Sequence, residues 1–213
     1  MNTIFDGIIF DVDGTIWDST PVVAKAWNAA LKDFGYGDHT VTADRLKGLF
    51  GLPMSDIIKD ILPYAALKER EAFLPVCSKY EFEALENEGG IVYEGLKDTL
   101  SELVGEGIPL FIVSNCQSGY IELVYRKTGF GIYFKDQLCP GDTGRLKAAN
   151  IGLICENHAL KSPVYVGDTV MDMNACREAG VPFIHAAYGF GRAEGADMVI
   201  DSPVELLKRV KGE

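Results

Sequence analysis

Ile8-Ile9-Phe10-Asp11-Val12-Asp13-Gly14-Thr15 joins a short apolar run to two carboxylates and a turn. A continuous apolar run of this length reads as a strand covered on both faces, which puts Asp11 at its C-terminal tip and Asp13 two residues beyond. Gly14 suits a sharp turn, and Thr15 can donate a hydrogen bond back into it. Far downstream, Val164-Tyr165-Val166-Gly167-Asp168-Thr169-Val170-Met171-Asp172 repeats the design, with Asp168 and Asp172 following a second apolar run.

Working outward, strands are predicted over Ile4 to Phe10, Pro109 to Val113, Pro163 to Val166, Pro182 to His185 and, more weakly, Met198 to Ile200. Apolar residues at helical spacing, or a plausible start and a glycine stop, predict helices over Leu96 to Gly105, Gly119 to Thr128, Gly144 to Asn157, Val170 to Ala179 and Pro203 to Lys211. This alternation predicts a Rossmann-like, three-layer α/β core with a parallel sheet, whose ligands bind outside the carboxyl ends of the strands. The interval from Ile16 to Glu88 breaks the pattern with helices over Pro21 to Phe34, Thr42 to Leu49, Pro53 to Leu62 and Tyr64 to Asn87, the last interrupted near Pro75. An insert of this size exceeds an ordinary strand-to-helix loop. The expectation is a core of residues 1–15 and 91–213, with an all-helical cap domain, residues 16–90, inserted after the first strand and lying over the strand tips.

Composition narrows the partners. At 213 residues, 47% hydrophobic and 24% charged, the chain can bury a substantial core. Lys and Arg total 20 against 31 Asp and Glu, and the formal charge of -11 repels polyanions. With no basic stripe and no zinc-finger spacing, nucleic acid is not an expected partner. A small anionic substrate stays compatible where a metal and one or two basic residues neutralise it locally. The N-terminus lacks a secretory signal pattern, and no apolar stretch approaches the roughly 18 residues of a membrane span. These features predict a soluble, cytoplasmic protein without a membrane partner, acting as a monomer or weak homodimer. Cys77, Cys116, Cys139, Cys155 and Cys176 are scattered, which predicts free thiols packed as small apolar groups.

In a parallel core, groups distant in sequence converge at one edge. Asp11, fixed by its strand and held beside a cation, can act as a nucleophile on phosphorus. Asp13 is near enough to protonate the leaving oxygen and later take a proton from water. Asp168 and Asp172 offer the hard oxygen ligands that suit Mg²⁺, although Asp168 or Thr169 could also cap a helix opening at Val170. The Ser114 hydroxyl and the amides of Asn115 and Cys116 can hold a phosphoryl oxygen. Arg145 and Lys147 compete as the cation that neutralises the transferring group. Gly189 to Gly195 has glycines at near-nucleotide spacing, but no βαβ unit follows, so a loop at the sheet edge is expected.

With DVDGT at the front, Ser114 after a core strand, Lys147 on a downstream helix and GDTVMD as the last acidic motif, the chain resembles the haloacid dehalogenase-like hydrolase superfamily. The layout is similar to its phosphoglycolate phosphatase-like branch. The resemblance implies Asp11 as nucleophile and Asp13 as general acid and base, its backbone carbonyl joining the metal shell. It implies phosphoryl binding by Ser114 and Lys147, Mg²⁺ ligation by Asp168 and a supporting role for Asp172. Together with Thr15 and Asn115 as phosphate-binding residues, these form the expected site. The lysine departs from the family's GKP pattern, standing here in Gly144-Arg145-Leu146-Lys147. The expected activity is Mg²⁺-dependent hydrolysis of a small phosphomonoester, phosphoglycolate-like or a sugar phosphate, through an aspartyl-phosphate. The alternatives are a phosphomutase of the β-phosphoglucomutase type and a non-enzymatic phosphate-responsive switch. Substrate choice is expected to lie in the cap, at Gly51, Leu52 and Pro53, and in the linker carrying Trp17, Ser19 and Thr20. Trp17 would either pack on substrate or pin the cap to the core.

Overall fold

The structure is a computed structural model that describes residues 4–212. It divides into two compact units, one running up to Trp17 and resuming at Val92, the other spanning Asp18–Ile91.

The strands of the described residues are β1 (Gly7–Phe10), β2 (Trp17–Asp18), β3 (Ile91–Val92), β4 (Leu110–Val113), β5 (Phe134–Leu138), β6 (Pro163–Gly167), β7 (Phe183–Ala186) and β8 (Met198–Ile200). Six of them form one sheet in the order β5-β4-β1-β6-β7-β8, with every neighbouring pair parallel. The runs Gly7–Phe10, Leu110–Val113 and Phe183–Ala186 are buried at every residue, as expected of strands covered on both faces. Since β1 lies between β4 and β6, the residues that follow these three strands emerge side by side at one edge.

The first unit also contains α5 (Leu96–Gly105), α6 (Tyr120–Thr128), α7 (Pro140–Thr143), α8 (Lys147–Asn157), α9 (Val170–Ala179) and α10 (Glu205–Lys211). The helix expected from Gly144 starts later, at Lys147, because Gly144 adopts a left-handed conformation (φ 68°) that ends the one-turn α7. Strand β5 was not expected. Phe-Lys-Asp-Gln-Leu is an edge strand with one ladder partner, and its polar residues hide the apolar signature of a covered strand. The first strand is shorter than the predicted Ile4 to Phe10. Asp6 leaves the ladder, and its carboxylate accepts hydrogen bonds from the amides of Lys161 and Ser162.

The second unit is built from α1 (Thr20–Asp33), α2 (Ala43–Lys47), α3 (Met54–Ile61) and α4 (Leu67–Glu88). Helices α1 and α4 pack together: the buried Trp27 indole donates to Glu81 Oε2 at 2.9 Å, and Phe34 meets Phe73 with ring centroids 5.3 Å apart. Pro75 does not interrupt α4, which runs through it for 22 residues. Ser19 occupies the N-cap position of α1 without a side-chain capping bond; Asp18 Oδ1 instead accepts from the Thr20 amide at 2.9 Å and its hydroxyl at 2.6 Å.

Candidate active site

The edge formed by β1, β4 and β6 gathers the expected groups. Asp11 follows β1, Ser114 follows β4 and Asp168 follows β6, while Lys147 and Asp172 come from the first turns of α8 and α9. All five are buried. Lys147 Nζ donates to Asp11 Oδ1 at 2.9 Å and to Asp172 Oδ1 at 2.6 Å, and the Ser114 hydroxyl bonds to Asp11. Arg145, the rival cation, is exposed; its backbone shapes the turn, the amide donating to Thr143 Oγ1 and the carbonyl accepting from Asn150. The geometry therefore puts Lys147, and not Arg145, against the carboxylates.

Of the alternatives weighed for the second acidic pair, the helix cap is present, and Thr169 provides it. Thr169 caps α9, its hydroxyl accepting from the Asp172 amide, while Asp172 Oδ2 accepts from the Thr169 amide and hydroxyl. Asp172 Oδ1 remains directed at Lys147. Asp168 Oδ2 accepts from the Phe190 amide at 2.7 Å, and Asp168 Oδ1 is buried with no hydrogen-bond partner.

Burying these carboxylates disfavours their charged forms. Asp11 is raised from its ordinary value, by burial first and by Asp172, with Lys147 and Ser114 opposing. Asp168 is pushed well up, again by burial first and then by Asp172 and Asp11. Burial alone would lower Lys147, but Asp11 and Asp172 more than offset that and raise it.

Oxygen atoms of Asp11, Asp168 and Asp172 lie within 4.8 Å of one another. Three carboxylates around one ammonium leave excess negative charge, and the unpartnered Asp168 Oδ1 lies among hard oxygen donors. A divalent cation with a preference for oxygen fits this cluster. The Asp13 carboxylate is not part of it. Its Oδ1 accepts from Trp17 Nε1 at 3.1 Å and Tyr120 OH at 2.9 Å. Trp17 is fully buried. Thr15 Oγ1 is buried without a partner, and Asn115 is half-buried on the loop after β4. Cys116, on the same loop, has its thiol pushed up by a hydrogen bond with Cys139 and then by burial and nearby carboxylates, so it is unsuited to act as a thiolate.

Three contributors escaped the sequence reading. Tyr120 reaches Asp13 from 107 positions away, Tyr188 OH donates to the Thr15 carbonyl at 3.1 Å, and the Gly189–Gly191 turn packs directly on the acidic site. A Cβ on Gly189 would stand 2.4 Å from Asp168 Cβ, and one on Gly14 2.1 Å from Asp168 Oδ2. Gly189 and Gly191 of the expected loop are therefore explained by close approach to the acidic site.

The chain is similar to known proteins in sequence and in fold. The chain is 29% identical to a phosphoglycolate phosphatase of Vibrio parahaemolyticus, the match covering 95% of each chain. The crystal structure of a predicted phosphoglycolate phosphatase from Haemophilus somnus superposes with a TM-score of 0.86 at 23% identity, covering 98% of this chain and 99% of the other. A haloacid dehalogenase-like family protein from Streptococcus pneumoniae gives 0.84 at 20% identity over 97% and 98%. These two likenesses concern the fold. The haloacid dehalogenase-like hydrolase model matches residues 8–186, a span that runs from β1 through β7 and takes in every acidic residue of the site, and the chain belongs to that family.

Proposed function

We propose that the protein is a Mg²⁺-dependent phosphatase that hydrolyses a small phosphomonoester through a phosphorylated Asp11. The observation that carries this reading is the buried cluster in which Lys147 and Ser114 hold Asp11 beside Asp168 and Asp172. Lys147 fixes one oxygen of Asp11, so the carboxylate is oriented before it attacks phosphorus. A bond from Asp11 oxygen to phosphorus forms, the bond from phosphorus to the ester oxygen breaks, and Asp13 supplies the proton to the departing alkoxide. Asp13 then takes a proton from a water that attacks the same phosphorus, which frees Asp11 and releases inorganic phosphate.

Ser114, Asn115 and Thr15 are assigned to the phosphoryl oxygens, and Lys147 neutralises the charge that builds on them. Asp11, Asp168 and the Asp13 carbonyl would hold Mg²⁺, with Asp172 supporting; when bound, the ion neutralises phosphoryl oxygens and lessens repulsion between carboxylates and substrate. The names of the curated relatives favour phosphoglycolate, a small alkyl phosphate that also bears a carboxylate, as the first substrate to try. Substrate choice is assigned to residues 16–90 as a cap domain, with the turn Gly51 to Pro53 as its selecting segment.

The test is phosphate release from phosphoglycolate and a panel of sugar phosphates, with Mg²⁺ and with chelator, in wild type and Asp11→Asn. Metal-dependent release by wild type and none by the folded variant is expected. Activity retained in Asp11→Asn would remove it as nucleophile, and an isomerised sugar phosphate without net phosphate release would convert the reading to a mutase.

A further inference from the structure

We propose that Trp17 and Tyr120 are positioning residues that aim the Asp13 carboxylate at the leaving group. The inference rests on the phosphatase reading and adds a residue role to it. An aspartate side chain at the end of a turn has two free torsions, and nothing in its own chemistry selects one rotamer. Here a single oxygen, Asp13 Oδ1, accepts two hydrogen bonds, from the Trp17 indole at 3.1 Å and the Tyr120 phenol at 2.9 Å.

Each donor is rigid because its ring is held elsewhere. Trp17 and Tyr120 are both buried and meet edge to face, with centroids 6.1 Å apart and planes at 76°. The Gly14 amide donates to the Trp17 carbonyl at 2.9 Å, closing the turn that carries Asp13. Tyr120 opens α6 behind Gly119, whose left-handed backbone (φ 84°) turns the chain into the helix. The carboxylate is thus fixed at the meeting of two elements far apart in sequence. Asp11 has a separate set of donors, Lys147 and Ser114, so the nucleophile and the acid-base group are oriented independently.

Comparing leaving groups distinguishes positioning from a general structural role. An alkoxide needs a proton as it departs, whereas 4-nitrophenolate departs as an anion and needs little help. With Mg²⁺ present, kcat/KM is measured for phosphoglycolate and for 4-nitrophenyl phosphate in wild type, Tyr120→Phe, Trp17→Phe and Asp13→Asn. Because kcat/KM reports steps up to leaving-group departure, slow dephosphorylation does not mask the effect. Tyr120→Phe, which removes one hydroxyl, is expected to lower the alkyl value by about 10²-fold and the aryl value at least about tenfold less, in the same sense as Asp13→Asn. Circular dichroism verifies folding, and if Trp17→Phe does not fold, Tyr120→Phe decides alone. Equal losses on both esters, or no loss on the alkyl ester, overturn the positioning role while leaving the phosphatase reading intact. A wild type inactive on both esters and on the panel of sugar phosphates overturns the two together.

Discussion

Asp168 shows what happens when carboxylates outnumber cations in a dry site. Its burial, with Asp172 and Asp11 adding to it, holds it well above the ordinary value of 3.8, and Asp11 moves the same way. A raised carboxylate keeps its proton in the folded chain at a pH where the unfolded chain has lost it. Its contribution to stability is therefore present below 3.8 and falls as pH rises through the raised value. In the presence of chelator, Asp168→Asn is expected to be more stable than wild type near neutral pH. The gap should close toward the ordinary carboxylate range. Urea unfolding at the two pH values reads this directly, and an equal gap at both would mean that the charge on Asp168 is not the cause. The same residue marks how far a sequence reading reaches. Asp11, Asp13, Ser114 and Asp168 announce themselves by residue type beside apolar strands, whereas Lys147 has Arg145 as a rival. The Phe190 amide that bonds Asp168 cannot announce itself, because every residue but proline has one, and the Tyr120 hydroxyl meets Asp13 only after the fold is complete.

At the scale of elements, α4 carries a local conflict. Pro75 lies inside a 22-residue helix, where it lacks the amide that would bond one turn back and its ring crowds the carbonyl there. The sequence suggested a break. Packing of α4 on α1, with Phe73 against Phe34 and Glu81 against Trp27, keeps the helix whole. Pro75→Ala restores the amide, and we expect it to raise stability by about 1–3 kcal/mol, less a few tenths for the looser unfolded chain. A urea midpoint that stays put or falls would show that the helix has already adapted around the ring. Strand β5 teaches the complementary lesson. An edge strand with polar residues has no apolar periodicity to read, and only its ladder to β4 reveals it. Covered strands and amphipathic helices are legible because burial writes itself into composition; edges and turns satisfied by backbone groups are not.

For the whole molecule, charge and metal are linked. A chain of net charge -11 that concentrates three carboxylates in one buried cluster should gain stability from a divalent cation. Mg²⁺ at one hundred times its Kd is expected to add about 2.7 kcal/mol. For a chain of this size that is a rise in Tm of roughly 5–10 °C, read by calorimetry with and without chelator. Asp168→Asn should lose most of the rise; a full rise in that variant would locate the ion elsewhere. The sheet order has a further consequence for how the chain is made. Strand β1 leaves the ribosome well before β4 and β6, the two strands between which it belongs, both encoded after the helical insert. At about 5–20 residues per second, Ile8, Ile9 and Phe10 wait roughly 5–20 s for the first of those neighbours. Throughout that interval the nascent polypeptide displays an unpaired apolar strand beside an insert whose helices can already assemble with one another. The segment that ends at Asp11 therefore stays exposed to other chains until β4 emerges to cover it.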